Sequence, residues 1–124
     1  MANFDNKTAC FVDQYNKFSV TAPDGTQVSI SGEATLDENI ADAGGVSASF
    51  LAWRRWEEVK GKAMSLPGLH GFTHEQLFFI KWGQNFCRNY PAAIDVAKAL
   101  TDTHSPKHVR LRSLCASFSE PNEK

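Results

Sequence analysis

The 124-residue sequence lacks a long apolar run and any large excess of charge of one sign. Its net charge is −1 at pH 7, with acidic and basic residues interspersed, so neither a nucleic-acid partner nor an anionic membrane surface is indicated. No apolar stretch approaches the length of a membrane span. Residues 1–7 contain no basic segment followed by an apolar one, so no signal peptide is predicted.

Cysteine is scarce, with only Cys10, Cys87 and Cys115 in the chain. An odd number leaves at least one cysteine unpaired within the chain. Asn6-Lys7-Thr8 matches a glycosylation sequon, which has meaning only in a secreted protein. Because no secretory signal accompanies the sequon, a chance match is the favoured interpretation.

Composition indicates one modest globular domain over residues 1–124, with no second domain and no internal repeat. The hydrophobic fraction is 42%, which is ordinary for a globular protein and too high for a disordered one. A chain of this length can bury a real hydrophobic core.

Local signals predict a mainly α-helical protein with a small N-terminal β-hairpin. Residues 10–31 carry extended and turn signals, including the β-prone pair Phe11-Val12. The hairpin is expected over about 17–31, around the turn Pro23-Asp24-Gly25-Thr26.

Helical spacing of apolar residues predicts three helices, from Thr35 to about Lys60, from Thr73 to about Asn89, and from Pro91 to about Leu100. Gly61 is expected at the first C-cap, and Thr73 with Gln76 forms a capping-box pattern. The second helix is apolar on most of its circumference, so we expect it to be buried in something larger. Val109-Arg110-Leu111 is predicted to be extended, and residues 117–124 to be frayed.

Two carboxylates, Glu38 and Asp42, stand four positions apart and therefore share one face of the first predicted helix. Two like charges at this spacing repel each other and do not stabilise an isolated helix. A cation, or a basic residue on another element, would be attracted by both carboxylates. The alternative is a glutamate that forms a capping box with Thr35, followed by a solvated aspartate. Gly44-Gly45 suggests close approach of another element, or is simply tolerated.

Two histidines, His70 and His74, also stand four positions apart. Gly71 interrupts the run and Thr73 is the predicted helix cap, so His70 lies outside the helix and a metal site here is disfavoured. Pro106 keeps the preceding residue out of helical geometry, which displays His104 on a loop.

The segment Glu38-Asn39-Ile40-Ala41-Asp42-Ala43-Gly44-Gly45 resembles the E-N-I-A-D-x-G-G signature of the neprilysin and endothelin-converting-enzyme family of zinc metallopeptidases. The resemblance implies that Glu38 is the third zinc ligand. It also implies that Asp42 orients a zinc-binding histidine. This aspartate is sometimes described as a proton donor. Asp37 departs from the pattern, since the family commonly has glycine there. The resemblance extends from about Cys10 to about Arg110, and the ends, 1–9 and 113–124, match poorly.

A second segment, Thr101-Asp102-Thr103-His104-Ser105-Pro106, is similar to the family's T-D-x-H-S-P motif. The resemblance implies that His104 stabilises the oxyanion of the tetrahedral intermediate, with Asp102 available to orient it. It also implies that Arg110 binds a carbonyl of the substrate peptide, a task that suits its five fixed donors. Without the resemblance, His104 is an ordinary surface residue and Arg110 an exposed strand residue.

A peptidase of this family also needs H-E-x-x-H, which supplies two histidine ligands and the general base. The sequence contains 4 histidines and no such motif. The resemblance therefore implies the truncated C-terminal part of a thermolysin-like (gluzincin) catalytic domain, whose complete form uses one zinc ion to hydrolyse peptide substrates. This chain is expected to be inactive alone. The alternative is a non-catalytic partial gene product or an interaction module that retains the peptidase fold.

The resemblance carries three further expectations. It implies a secreted or cell-surface location, although the chain itself shows no leader or anchor. It implies that Cys10 and Cys87 form disulfides with cysteines in parts of the enzyme absent here. Apolar surface that those absent parts would cover is expected to promote self-association.

Overall fold

A computed structural model describes residues 2–117 of the chain. Within them, five helices and one two-stranded sheet follow in the order α1 (Ala2–Tyr15), β1 (Ser19–Thr21), β2 (Gln27–Ser29), α2 (Leu36–Lys60), α3 (His74–Gln84), α4 (Ala92–Thr101) and α5 (Lys107–Ser117). The predicted mainly helical fold with a small hairpin is confirmed. None of the described helices is long and apolar enough to cross a membrane. The predicted frayed segment lies, from residue 118 onward, outside the described residues.

The chain divides into two compact units. The first unit combines the chain before Gly44 with the chain after Cys87, and the second is Gly44–Cys87. The expectation of one domain over residues 1–124 stays a prediction.

The core of the first unit forms around Tyr15, Ile30 and Val109, which are only 1–2% exposed. Phe11 packs against this core from α1, four residues before Tyr15 and so on the same helical face. The predicted extended conformation around Phe11-Val12 is therefore wrong. Burial of two aromatic side chains on one helical face outweighs the weak β-propensity of this pair.

The predicted hairpin is present, and α4 packs against both of its strands. β1 and β2 are antiparallel, with Ser19 opposite Ser29 and Thr21 opposite Gln27. Gly25 has φ +87° in the connecting turn, a conformation that glycine adopts without steric cost. The hairpin contributes Val20, which is 4% exposed, and leads into Ile30 of the core.

Gly32, just after the hairpin, lies directly against helix α1. A side chain at this position would clash with the backbone carbonyl of Val12. The backbone N–H of Gly32 donates to Oδ1 of Asn16 at 2.7 Å. Glycine is required here because the approach of the two backbones leaves no room for a Cβ atom.

Val109, Arg110 and Leu111 lie in helix α5, so the predicted extended conformation is wrong. Pro106 precedes the helix, and its carbonyl accepts the backbone N–H of Val109 at 2.8 Å. Proline is tolerated at a helix start, where its missing N–H costs nothing. Val109 is 1% exposed, so its burial in the core rather than its β-propensity decides the local structure.

The second unit contains most of α2 together with α3, and aromatic rings pack between these two helices. Phe50 contacts Phe78 and Phe79, with ring centroids 5.3 and 5.1 Å apart, and Trp53 stacks on Phe78 at 5.7 Å. Beside them, Oε1 of Glu57 lies 2.8 Å from Nδ1 of His74. Their side chains are only 7% and 19% exposed respectively.

The ends of these helices follow the sequence signals in part. The Thr73 capping box with Gln76 is confirmed, as is Gly61 just beyond α2, where φ is +84°. α3 ends at Gln84, earlier than the predicted Asn89, and its C-cap Asn85 donates back to the last turn. Within the described residues, a Cβ atom on Gly44 or Gly45 would meet nothing within 4 Å, so the expected close approach is wrong here.

Candidate active site

The first turn of α2 is anchored by Thr35 and Asn39. The Thr35 hydroxyl donates to the carbonyl of Ser31 at 2.9 Å and accepts a hydrogen bond from Nδ2 of Asn39 at 2.9 Å. Thr35 is 3% exposed. The predicted capping box between Thr35 and Glu38 is wrong, because the Thr35 hydroxyl is hydrogen-bonded to Ser31 and Asn39. The Glu38 carboxylate contacts His104 instead.

A buried hydrogen bond joins the two sequence motifs. Ser105 Oγ donates to Oδ1 of Asn39 at 2.9 Å, although the two residues are 66 positions apart. Asn39 is 1% exposed and Ser105 2% exposed, so the bond is shielded from water. A buried polar group left without its partner costs about 1–3 kcal/mol, which makes this bond a strong constraint on the loop before α5.

His104 is held at both ring nitrogens by carboxylates. Oδ1 of Asp102 accepts the backbone N–H of His104 at 2.9 Å and lies 3.0 Å from Nδ1 of the ring. On the other side of the ring, Nε2 is 3.1 Å from Oε2 of Glu38. A neutral imidazole can donate to only one of these carboxylates, whereas the protonated ring donates to both.

The electrostatics of Asp102 fit this arrangement. Hydrogen bonds from the backbone N–H and then the side chain of His104 lower the pKa of Asp102, against a smaller opposing effect of burial. Asp102 therefore stays ionised and acts as a fixed acceptor that sets the orientation of the His104 ring.

Asp42 and Arg110 form a two-point ion pair. Nε of Arg110 donates to Oδ2 of Asp42 at 2.6 Å, and Nη2 donates to Oδ1 at 2.7 Å. The two side chains are 18% and 15% exposed for Arg110 and Asp42 respectively. The hydrogen bond from Arg110 to Asp42 raises the pKa of the guanidinium, and burial opposes this only in part. Parallel double donation of this kind fixes geometry as well as charge.

The structure thus brings all four predicted site residues into one region of the first unit. Glu38 faces His104, and Asp42 is paired with Arg110, so each carboxylate of the α2 face has a basic partner on another element. Asp42 is not the solvated aspartate of the alternative interpretation. Arg110 lies on a helix rather than a strand, and two of its five donors are used by Asp42.

Asn39 and Ser105 hold the site together, although the sequence patterns predict no role for either residue. Both lie inside the motifs, between or beside the residues that were singled out. A signal was available, since polar residues embedded in an apolar helix face and before a proline often have structural hydrogen bonds.

The described residues contain no group of three or more histidine, cysteine, aspartate or glutamate side chains placed to hold a metal ion. A zinc site needs three protein donors, and Glu38 offers only one carboxylate. The residues of this chain alone therefore do not fit a complete zinc centre. His74 does not add to the set, because its Nδ1 is paired with Glu57 in the second unit.

Both described cysteines, Cys10 and Cys87, carry exposed thiols that are not in a disulfide. Their pairing with cysteines of other chain segments stays a prediction. The Cys115 side chain lies outside the described part of the structure.

The comparison with known proteins agrees with the motifs. The chain is 36% identical over 109 residues to Neprilysin-11 of Caenorhabditis elegans, covering 88% of this chain and 12% of that protein. It is 38% identical over 109 residues to human Membrane metallo-endopeptidase-like 1, covering 88% of this chain and 14% of that protein. The chain therefore spans about one-eighth to one-seventh of the length of these relatives.

A solved structure shares the fold. The "Haemonchus galactose containing glycoprotein complex" superimposes with a TM-score of 0.79 at 35% identity, over 91% of this chain and 18% of that one. The model of peptidase family M13 matches residues 1–123. The two motifs, their convergence in the first unit and these matches lead to one conclusion: the chain belongs to peptidase family M13.

Proposed function

We propose that this chain forms the C-terminal part of the catalytic site of a neprilysin-like zinc metalloendopeptidase that hydrolyses peptide bonds of oligopeptides. The observation that carries the proposal is the approach of Glu38 to His104, 3.1 Å between Oε2 and Nε2. A candidate metal ligand and a candidate oxyanion donor thereby face the same small region, where a metal held by Glu38 and the His104 donor would both be close to one substrate carbonyl.

Each residue has a separate proposed role. Glu38 would supply one of the zinc ligands, and an H-E-x-x-H segment outside this sequence would provide the others. Asp42 orients a histidine ligand, and Arg110 holds Asp42 rigid by double donation at 2.6 and 2.7 Å.

His104 donates from Nε2 to the developing oxyanion, and Asp102 fixes the ring through Nδ1. Arg110, which lines a recess together with His104, also contacts the substrate backbone. The two donors thus lie close together in the chain, His104 on a loop and Arg110 near the start of α5.

Because the sequence contains no H-E-x-x-H, we propose that this chain is inactive by itself. The same absence favours the second candidate, a non-catalytic partial product or interaction module that keeps the fold. In either case we place the complete protein outside the cell or on its surface, with Cys10 and Cys87 bonded to cysteines elsewhere.

The experiment is a chimera in which this chain replaces the corresponding part of human Membrane metallo-endopeptidase-like 1. We expect the chain alone to leave a quenched fluorescent peptide uncleaved, and the chimera to cleave it in a chelator-sensitive manner. Glu38→Gln and His104→Ala should abolish or strongly reduce turnover, since one oxyanion donor alone is worth about 10²–10³ in rate.

The matched control is Glu58→Gln, which removes a carboxylate from the exposed face of the same helix. It should leave turnover unchanged. Chelator-sensitive cleavage by the chain alone, or a chimera whose turnover survives Glu38→Gln, would contradict the proposal. An inactive chimera that is secreted and melts cooperatively would favour the interaction module.

A further inference from the structure

A recess opens beside His104 in the first unit, and its lining contains more basic than acidic side chains. It has a volume of about 200 Å³ and is lined by Lys98, Asp102, His104, Lys107 and Arg110, among others. A water molecule takes about 30 Å³ in the liquid, so the recess has room for a small polar group together with some of its hydration.

The positive charges in this lining exceed the negative ones. Lys98, Lys107 and Arg110 carry three positive charges, and Asp102 carries the single negative one. Arg110 is balanced by Asp42, which is not part of the lining. Among the described residues, no carboxylate lies within ion-pairing distance of Lys107.

Lys98 is positioned rather than loosely solvated. Its Nζ lies 5.3 Å from the centroid of the Tyr90 ring and 3.9 Å from Oδ2 of Asp102. The same carboxylate already accepts two hydrogen bonds from His104 through its other oxygen, Oδ1. At 3.9 Å this contact is too long for a hydrogen bond, and the Lys98 side chain is 36% exposed, so the ammonium group has room for a second anion.

We infer that this recess is a subsite for a carboxylate of the peptide substrate, held by Lys98 and Lys107 next to the His104 donor. The inference rests on the proposed function, because that function places a peptide at His104. The carboxylate can belong to an acidic side chain or to the C-terminus of the peptide, since both present the same charge and oxygen geometry. The substrates are accordingly peptides that present a carboxylate, either on a side chain or at the C-terminus, to this recess.

The test uses the whole 124-residue chain and nuclear magnetic resonance titration of its backbone amides. Three probes are compared: acetyl-Ala-Glu-amide, acetyl-Ala-Ala with a free C-terminus, and the neutral acetyl-Ala-Gln-amide. We expect shifts at Ser105 and Lys107, with at least one acidic probe bound about five- to tenfold more tightly than the neutral one. The preferred probe identifies which carboxylate the recess receives.

Lys98→Gln and Lys107→Gln should each remove about two- to fivefold of this preference, and added salt should weaken it. Lys81→Gln, on the exposed surface of α3, is the control and should change nothing. Amide spectra of the variants establish that the fold is intact.

Equal affinity for the three probes, no binding of any probe, or a preference that survives both lysine substitutions would overturn the inference. Because binding is measured without metal or turnover, a failure here is separate from a failure of the proposed catalytic role. An active chimera that prefers neither an acidic side chain nor a free C-terminus in its substrate would refute the subsite alone.

Discussion

The buried pair between Glu57 and His74 provides a sharp test of how the second unit is stabilised. Replacing Glu57 with alanine leaves the His74 ring, 19% exposed, without its partner at 2.8 Å. A hydrogen bond to a charged group contributes about 1.5–3 kcal/mol. We therefore expect Glu57→Ala to lower the free energy of unfolding by about 2 kcal/mol. Glu57→Gln retains an acceptor oxygen and should lose less.

Tryptophan fluorescence during urea unfolding measures this effect selectively. The chain has 3 tryptophans, and Trp53, Trp56 and Trp82 all lie in the second unit. A change in the fluorescence midpoint at constant slope therefore reports the stability of that unit. His74→Ala and the double variant complete a double-mutant cycle, whose coupling energy should be about 1–2 kcal/mol.

The neighbouring residue supplies the control. Glu58 pairs with Arg55 at 2.9 Å, but the side chains are 58% and 77% exposed. Exposed pairs contribute about 0–1 kcal/mol, so Glu58→Ala should lie near the wild type. Equal effects of Glu57→Ala and Glu58→Ala, or strictly additive effects in the cycle, would refute the reasoning that burial gives the Glu57 pair its strength.

Three further predictions concern the whole chain. Calorimetry should show weak or no stoichiometric zinc binding, and tight one-to-one binding abolished by Glu38→Gln would contradict this. The chain should associate in light scattering and bind a hydrophobic dye, because Leu51, Val59 and Met64 are 67%, 66% and 92% exposed; a monodisperse monomer without dye binding would show the opposite. Burial raises the pKa of Tyr15 above 10.0. The stability that this shift contributes should be fully present below pH 10.0 and be lost as pH rises through the folded-state pKa. Tyr15→Phe should weaken this pH dependence in thermal melts.

Helices α2 and α4 could be predicted because their local signals and their tertiary environment agree. The end of α2 and the start of α3 were predictable from glycine and capping chemistry at Gly61 and Thr73. Helices α1 and α5 were missed because Phe11-Val12 and Val109 have β-propensity, which is weak beside the burial that they gain in the first unit. Pro106 predicts non-helical geometry for the residue before it, although proline also permits a helix to begin.

The candidate site could also be predicted only in part. The family resemblance selected Glu38, Asp42 and His104 within the two motifs, and Arg110 six residues after His104. Their pairing, Glu38 with His104 and Asp42 with Arg110, depends on contacts between residues up to 68 positions apart. A local sequence pattern cannot predict a contact between residues so far apart in the chain. The resemblance also assigned Arg110 to a substrate, whereas in the structure Arg110 is paired with Asp42.

The carboxylate of Glu38 acts as a built-in competitor for the Nε2 donor of His104, since the two lie 3.1 Å apart. Any ligand that accepts a hydrogen bond from this nitrogen has to displace Glu38 beforehand. Its apparent dissociation constant is then the intrinsic one divided by the fraction of molecules in which the pair is open. An affinity measured at His104 therefore understates the strength of the contact, and Glu38→Gln, which lacks the charge that holds the pair closed, would reveal it.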